Sequence, residues 1–114
     1  MDDRDRVRVR HMLDAAQEAV QFAGRRSRED LDLDRMLELA LTRLVEIVGE
    51  AAKSVSQATR DAHPEVPWRQ ITGTRDRLVH GYYDVNRDIL WDIVAHDLPA
   101  LIPQLEALVA RDPN

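Results

Sequence analysis

Residues 34–59 read DRMLELALTRLVEIVGEAAKSVSQAT. Leu37, Leu41, Leu44, Val48, Ala51 and Val55 recur at intervals of 4, 3, 4, 3 and 4. That is the repeat of one apolar helix face, and it predicts a long amphipathic helix from about Asp34 to Thr59. Gly49 stands in its middle. Glycine there costs ~1 kcal/mol relative to alanine, so close packing against another backbone is the expected compensation.

The N-terminal flank repeats the pattern. Val9, Leu13, Ala16, Val20 and Ala23 form one stripe over residues 3–23, and Met12, Ala15, Ala19 and Phe22 lie beside it. The face is therefore wide, and Gly24 is placed to end the helix. Residues 27–34 form a polar, acidic connector in which Ser27 or Asp32 can cap the next helix.

On the C-terminal side, His63-Pro64-Glu65-Val66-Pro67 is a break. Pro67 fits the first turn of a third, shorter helix reaching to about His80. A turn over residues 81–84 follows, and Asn86 is the expected cap of a fourth helix from about Arg87. Leu90, Val94, Leu101, Leu105 and Leu108 mark its buried side. Pro99 and Pro103 are expected to kink or divide it, and Arg111 to Asn114 to fray. No useful period-two alternation is present. The predicted architecture is all-α: one domain over residues 1–114, an antiparallel bundle of four to five helices with a kinked C-terminal helix.

Composition narrows the chemistry. Five aromatic residues leave the core to Leu, Val, Ile and Ala, and a domain this small makes oligomerisation a reasonable expectation. The absence of cysteine excludes a disulfide scaffold, a zinc-thiolate site and a Cys nucleophile. No apolar run approaches the ~18 residues of a membrane span. The charged start, Met1 to Arg6, has no apolar stretch behind it and does not read as a signal peptide. The expected location is the cytoplasm, away from a membrane. His11, His63 and His96 lack metal-ligand spacing, and neither a metal nor another cofactor is expected.

Net charge is −5, which argues against a general nucleic-acid coat. Residues 68–87, however, hold Arg69, Arg75, Arg77 and Arg87 against Asp76 and Asp84. A weakly basic island on an acidic body suits a local anionic ligand. Within it, residues 68–83 read WRQITGTRDRLVHGYY. Arginine offers a fork of donors for phosphate, and histidine exchanges protons near neutral pH. On a continuous helix, Asp76 and His80 would share a face, with the carboxylate orienting the imidazole. Arg75 and His80 would be about 140° apart. They would meet only at the helix end or across a symmetric partner, so a groove or dimer interface is the expected setting.

Arg75, four residues, His80, one residue and Tyr82 resemble the R-x4-H-x-Y motif of HepT-like proteins, within the HEPN superfamily. Asp76 matches the polar residue after the family's arginine. Residues 47–53, 63–68, 84–91 and 97–99 are similar to the family's flanking segments in order, so the resemblance is nearly end to end. It implies a metal-independent endoribonuclease toxin in which His80 is general acid or base and Arg75 binds the phosphate. It also implies a homodimer with the site in the dimer cleft. The partner it implies is an MntA-like minimal nucleotidyltransferase antitoxin that silences the toxin by AMPylation of Tyr82. Arg77 and Arg69 are further candidates for contact with RNA.

Plainer readings exist for each residue. His80 also suits a helix C-terminus. Arg75 suits a surface ion pair, Asp76 a solvated carboxylate, and Arg69 and Arg77 an exposed face. Trp68 and Trp91 suit core packing, Tyr83 half-buried packing and Glu50 an exposed helical glutamate. The alternative function is a non-catalytic HEPN subunit that holds a nucleotidyltransferase or a nucleotide.

Overall fold

The structure, a computed structural model, describes residues 1–80 and 84–111, with the backbone alone for His80. Its first helix, α1 (Asp3–Ala23), has the predicted bounds. The Asp2 carboxylate caps it by accepting from the Asp5 N–H at 2.8 Å. Gly24 ends it with φ 36°, a conformation that L side chains rarely adopt. Val9, Met12, Leu13, Ala15, Ala16, Ala19 and Ala23 are buried, whereas Phe22 at the end of the second stripe is 45% exposed. Small alanines along this face let neighbouring helices come close.

The acidic connector is more ordered than expected. It contains a single helical turn, α2 (Asp30–Leu33), with Leu31 buried beneath it. Neither Ser27 nor Asp32 caps the following helix. Asp34 does, its carboxylate accepting from the Leu37 N–H at 3.1 Å. Asp32 is engaged elsewhere, by Arg28 and Arg87.

The long helix α3 (Arg35–Lys53) buries Leu37, Leu41, Leu44, Val45, Val48 and Ala52. It stops six residues short of the expected Thr59, and α4 (Gln57–Ala62) begins afresh. The cause is Ser56. Its hydroxyl caps α4 by accepting from the Thr59 N–H, while its own N–H donates to the buried Asp5 carboxylate at 2.9 Å. A helical Ser56 would instead direct that N–H along the helix axis.

The C-terminal segment is one helical run in three parts: α7 (Arg87–Asp92), a π-turn (Ile93–Asp97) and α8 (Leu98–Arg111). Asn86 caps α7 as expected, accepting from the Ile89 N–H at 3.0 Å. Pro99 does not divide the run. The Leu98 N–H reaches back to the Ile93 carbonyl, and this wider turn makes room where the proline ring would crowd the preceding one. Pro103 lies within α8. By length and composition alone, the 25-residue helix Arg87–Arg111 could cross a bilayer, its most apolar 18-residue window having a mean hydropathy of 1.3. Its apolar side has another use. Leu90, Ile93, Val94, Leu98, Leu101, Leu105 and Leu108 join the one buried cluster with α1 and α3.

The result is the expected all-α bundle. Helices α1, α3 and α8 form its body, and the shorter pieces between residues 54 and 86 lie along α3, from the turn after its C-terminus past Gly49 to Asp84 and Val85 beside Glu38. Arg111, expected to fray, is the last residue of α8, and the rest of that expectation, on residues 112–114, lies outside the described residues.

Candidate functional site

The motif segment is where the chain departs most from its helical pattern. Trp68 opens α5 (Trp68–Thr72), buried, with its indole N–H donating to the His63 carbonyl at 2.9 Å. Gly73 interrupts the helix, and α6 (Thr74–Leu78) follows. Leu78 is fully buried. Val79 is extended (φ −104°, ψ 124°) and begins strand β1 (Val79–His80), which pairs antiparallel with β2 (Asp84–Val85). Val79 faces Val85 and His80 faces Asp84 in the register. The Asn86 N–H donates to the Leu78 carbonyl at 2.8 Å and closes the base of this hairpin.

Two expectations are corrected here. The third helix does not run to His80, and strands are present. A β-branched residue directly after the anchored Leu78, with a partner strand returning alongside, satisfies the backbone better than another helical turn. Consequently Asp76 and His80 do not share a helix face, and the 140° separation has no helix on which to act. Arg75 lies on α6 and His80 two residues past its end.

Arg75 is exposed. It lines a narrow cleft with Gly49, Glu50 and Lys53 of α3 and with Thr72 and Thr74. Gly49 has the role expected of it: a Cβ there would stand 3.3 Å from the Ile71 carbonyl oxygen, so α3 and α5 meet backbone to backbone. Among the described residues, Arg75 makes no ion pair and no side-chain hydrogen bond. Asp76 is exposed in the first turn of α6. Tyr82, Tyr83 and the side chain of His80 lie outside the described residues.

The basic island is smaller in space than in sequence. Arg87 is engaged by Glu38 and Asp32, both at 3.2 Å. Arg77 lies 3.7 Å from Asp97 on the π-turn. Arg69 is exposed. Glu50 is exposed as well, 3.6 Å from Arg43. Trp91 packs half-buried against the core.

Sequence reading missed Glu38. Its carboxylate is buried and takes Arg35 at 2.9 Å on one oxygen and Arg87 on the other. Leu41 and Val45, three and seven residues on, are apolar, which marks position 38 as inward-facing. Around it, Arg28 holds Asp88 at 2.6 Å and Asp32 at 3.1 Å. Hydrogen bonding from Arg28 and then from Arg87 keeps the Asp32 carboxyl below its ordinary pKa despite its partial desolvation. The Arg87 guanidinium is correspondingly held above its own, first by Glu38.

The Ribonuclease HepT-like family model matches residues 12–108. The chain belongs to this family. That match takes in Glu38, Gly49, the Arg75 cleft and the hairpin. A protein of Caldanaerobacter subterraneus subsp. tengcongensis, named provisionally as an RNase, is 33% identical over 91% of this chain and 93% of its own length. A protein of Thermococcus cleftensis, named provisionally as ribonuclease HepT, is 39% identical over 70% of this chain and 73% of its own. A third, from Methanocaldococcus jannaschii and also named provisionally as an RNase, is 30% identical over 83% and 87%. No solved structure matches significantly. This HepT-like chain therefore resembles its relatives across nearly its whole bundle, with Arg75 and His80 lying where α6 passes into β1.

Proposed function

We propose that this chain is a metal-independent endoribonuclease, the toxin of a pair completed by an MntA-like nucleotidyltransferase antitoxin. Family membership supports the ribonuclease class. The observation that carries the assignment of residues is Arg75: an exposed guanidinium without a partner among the described residues, on the helix that leads into the strand of His80. Unlike Arg28 and Arg87, Arg75 holds no carboxylate among the described residues, which leaves its fork of donors for a phosphate.

In the proposed reaction the ribose 2′-oxygen attacks the adjacent phosphorus and the 5′-oxygen leaves, giving a cyclic phosphate. His80 moves the proton as general base or acid. Arg75 binds the phosphate and offsets the charge that builds on its oxygens. Asp76 supports the pair electrostatically, and Arg77 and Arg69 extend the contact to flanking phosphates. Two copies form the active cleft. AMP transferred from ATP to the Tyr82 phenol, with pyrophosphate leaving, would block that cleft by bulk and negative charge.

The test is RNA cleavage by the purified, unmodified chain in the presence of a chelator, beside Arg75→Ala and His80→Ala. Cleavage by the wild type alone is the expected result. Co-expression with an MntA-like enzyme should add one AMP at Tyr82 and abolish cutting, and Tyr82→Phe should escape. A folded wild type as inert as both variants would overturn the enzyme reading and favour a non-catalytic subunit that holds a nucleotidyltransferase.

A further inference from the structure

We propose that Glu38 is a positioning residue: through Arg87 it holds the return limb of the β1–β2 hairpin, and so sets the segment that carries His80. The inference rests on the ribonuclease reading for its kinetic part only.

The hairpin cannot hold itself. Each strand has two residues, and a ladder this short is not stable alone. Its outgoing limb is secured from below, because Val79 follows Leu78, which is fully buried. The return limb is exposed at Asp84 and half-buried at Val85. It runs directly into Asn86 and Arg87. There the chain is tied to the body by ion pairs of long sequence separation: Arg87 to Glu38 and to Asp32, and Asp88 to Arg28. All these partners belong to the α2–α3 region. Arg28, Arg35, Glu38, Arg87 and Asp88 surround one hollow, with Asp84 and Val85 on its wall.

Glu38 differs from the other members. Asp32 and Asp88 are largely exposed, and pairs of that kind contribute little. The Glu38 side chain is 5% exposed, with one oxygen on Arg35 and the other on Arg87. Removing Arg87 leaves a buried carboxylate short of a partner, so the charge itself resists release of the limb. Arg35 follows Asp34 on the same helix and cannot substitute, since it fixes nothing beyond α3.

Hydrogen exchange and kinetics together test the clamp, using the full chain with Glu38→Gln, Arg87→Gln, the double variant and Arg87→Lys. The Asn86 N–H, bonded to the Leu78 carbonyl, reads the hairpin base. It should exchange about tenfold faster in both single variants and no faster in the double, since one contact is lost in each. Arg87→Lys should fall between, because one ammonium cannot hold both carboxylates in a fork. Amides of Met12 and Leu41 should keep wild-type rates. In RNA cleavage, kcat should fall about tenfold with KM within about twofold, the mark of a displaced reacting group rather than lost binding. Unchanged Asn86 exchange, or acceleration only in step with Met12 and Leu41, would overturn the clamp. So would unchanged kcat in an active enzyme. If the wild type cuts no RNA, the ribonuclease reading fails, and the exchange rates alone decide the clamp.

Discussion

Asp5 and Ser56, 51 residues apart, are joined at the end of the bundle: the Asp5 carboxylate accepts from the Ser56 N–H at 2.9 Å and also from the Ser56 hydroxyl. Thr59 adds a third donor at 2.6 Å. The contact fixes α1 against the turn between α3 and α4, and it explains why the long helix ends before its sequence repeat does.

Replacing Asp5 by alanine removes the acceptor of three donors, of which the Thr59 hydroxyl is buried. The expected loss is about 1–3 kcal/mol of unfolding free energy. Urea unfolding of Asp5→Ala against the wild type measures it, and a midpoint shift within error would show that water replaces the carboxylate.

The same group sets a pH dependence. Burial pushes the Asp5 carboxyl pKa up, but the Ser56 and Thr59 hydroxyls, the Ser56 N–H and the nearby Arg8 charge outweigh that and leave it lowered. A lowered folded pKa contributes stability that is full above the unfolded value of ~3.9 and is lost as pH falls through the folded one. The wild type's margin over Asp5→Asn should therefore be flat at neutral and mildly acidic pH and shrink only in strong acid. A margin that shrinks on approach to neutral pH would assign the effect to another group.

Gly49 tests the approach of α3 to α5. Alanine there gains helix propensity of up to ~1 kcal/mol but places a methyl 3.3 Å from the Ile71 carbonyl oxygen. The two should nearly cancel. Gly49→Val adds more bulk at the same contact and should cost about 1–3 kcal/mol. Thermal unfolding of both variants separates the cases, and a stabilised valine variant would show the two backbones to be further apart.

Arg75→Ala should leave stability within about 0.5 kcal/mol of wild type, because an exposed side chain with no partner among the described residues has little to lose. Cleavage should nevertheless fall by about a hundredfold or more, by analogy with loss of a charge-stabilising donor. Lysine should not restore it, since a point charge does not reproduce the fork. A variant that loses stability and activity together would return Arg75 to a structural role.

The sequence by itself determined the helical class, the exact span of α1, the cap at Asn86, the meaning of Gly49 and the inward faces of α3 and α8. Each depends on spacing within one helix or one turn, where neighbours in sequence are neighbours in space. It also carried the motif of Arg75, His80 and Tyr82 in full. Tertiary structure alone decided where α3 and the motif helix stop. Thr59 loses its place in α3 because Asp5 captures Ser56 from across the bundle. His80 leaves the helix because Leu78 is anchored and β2 returns beside Val79. Arg87, read as part of a basic island, is held by the buried Glu38. Helical periodicity reports which side of a segment faces inward, but a buried carboxylate and the donor it selects from 49 or 51 residues away have no periodic trace.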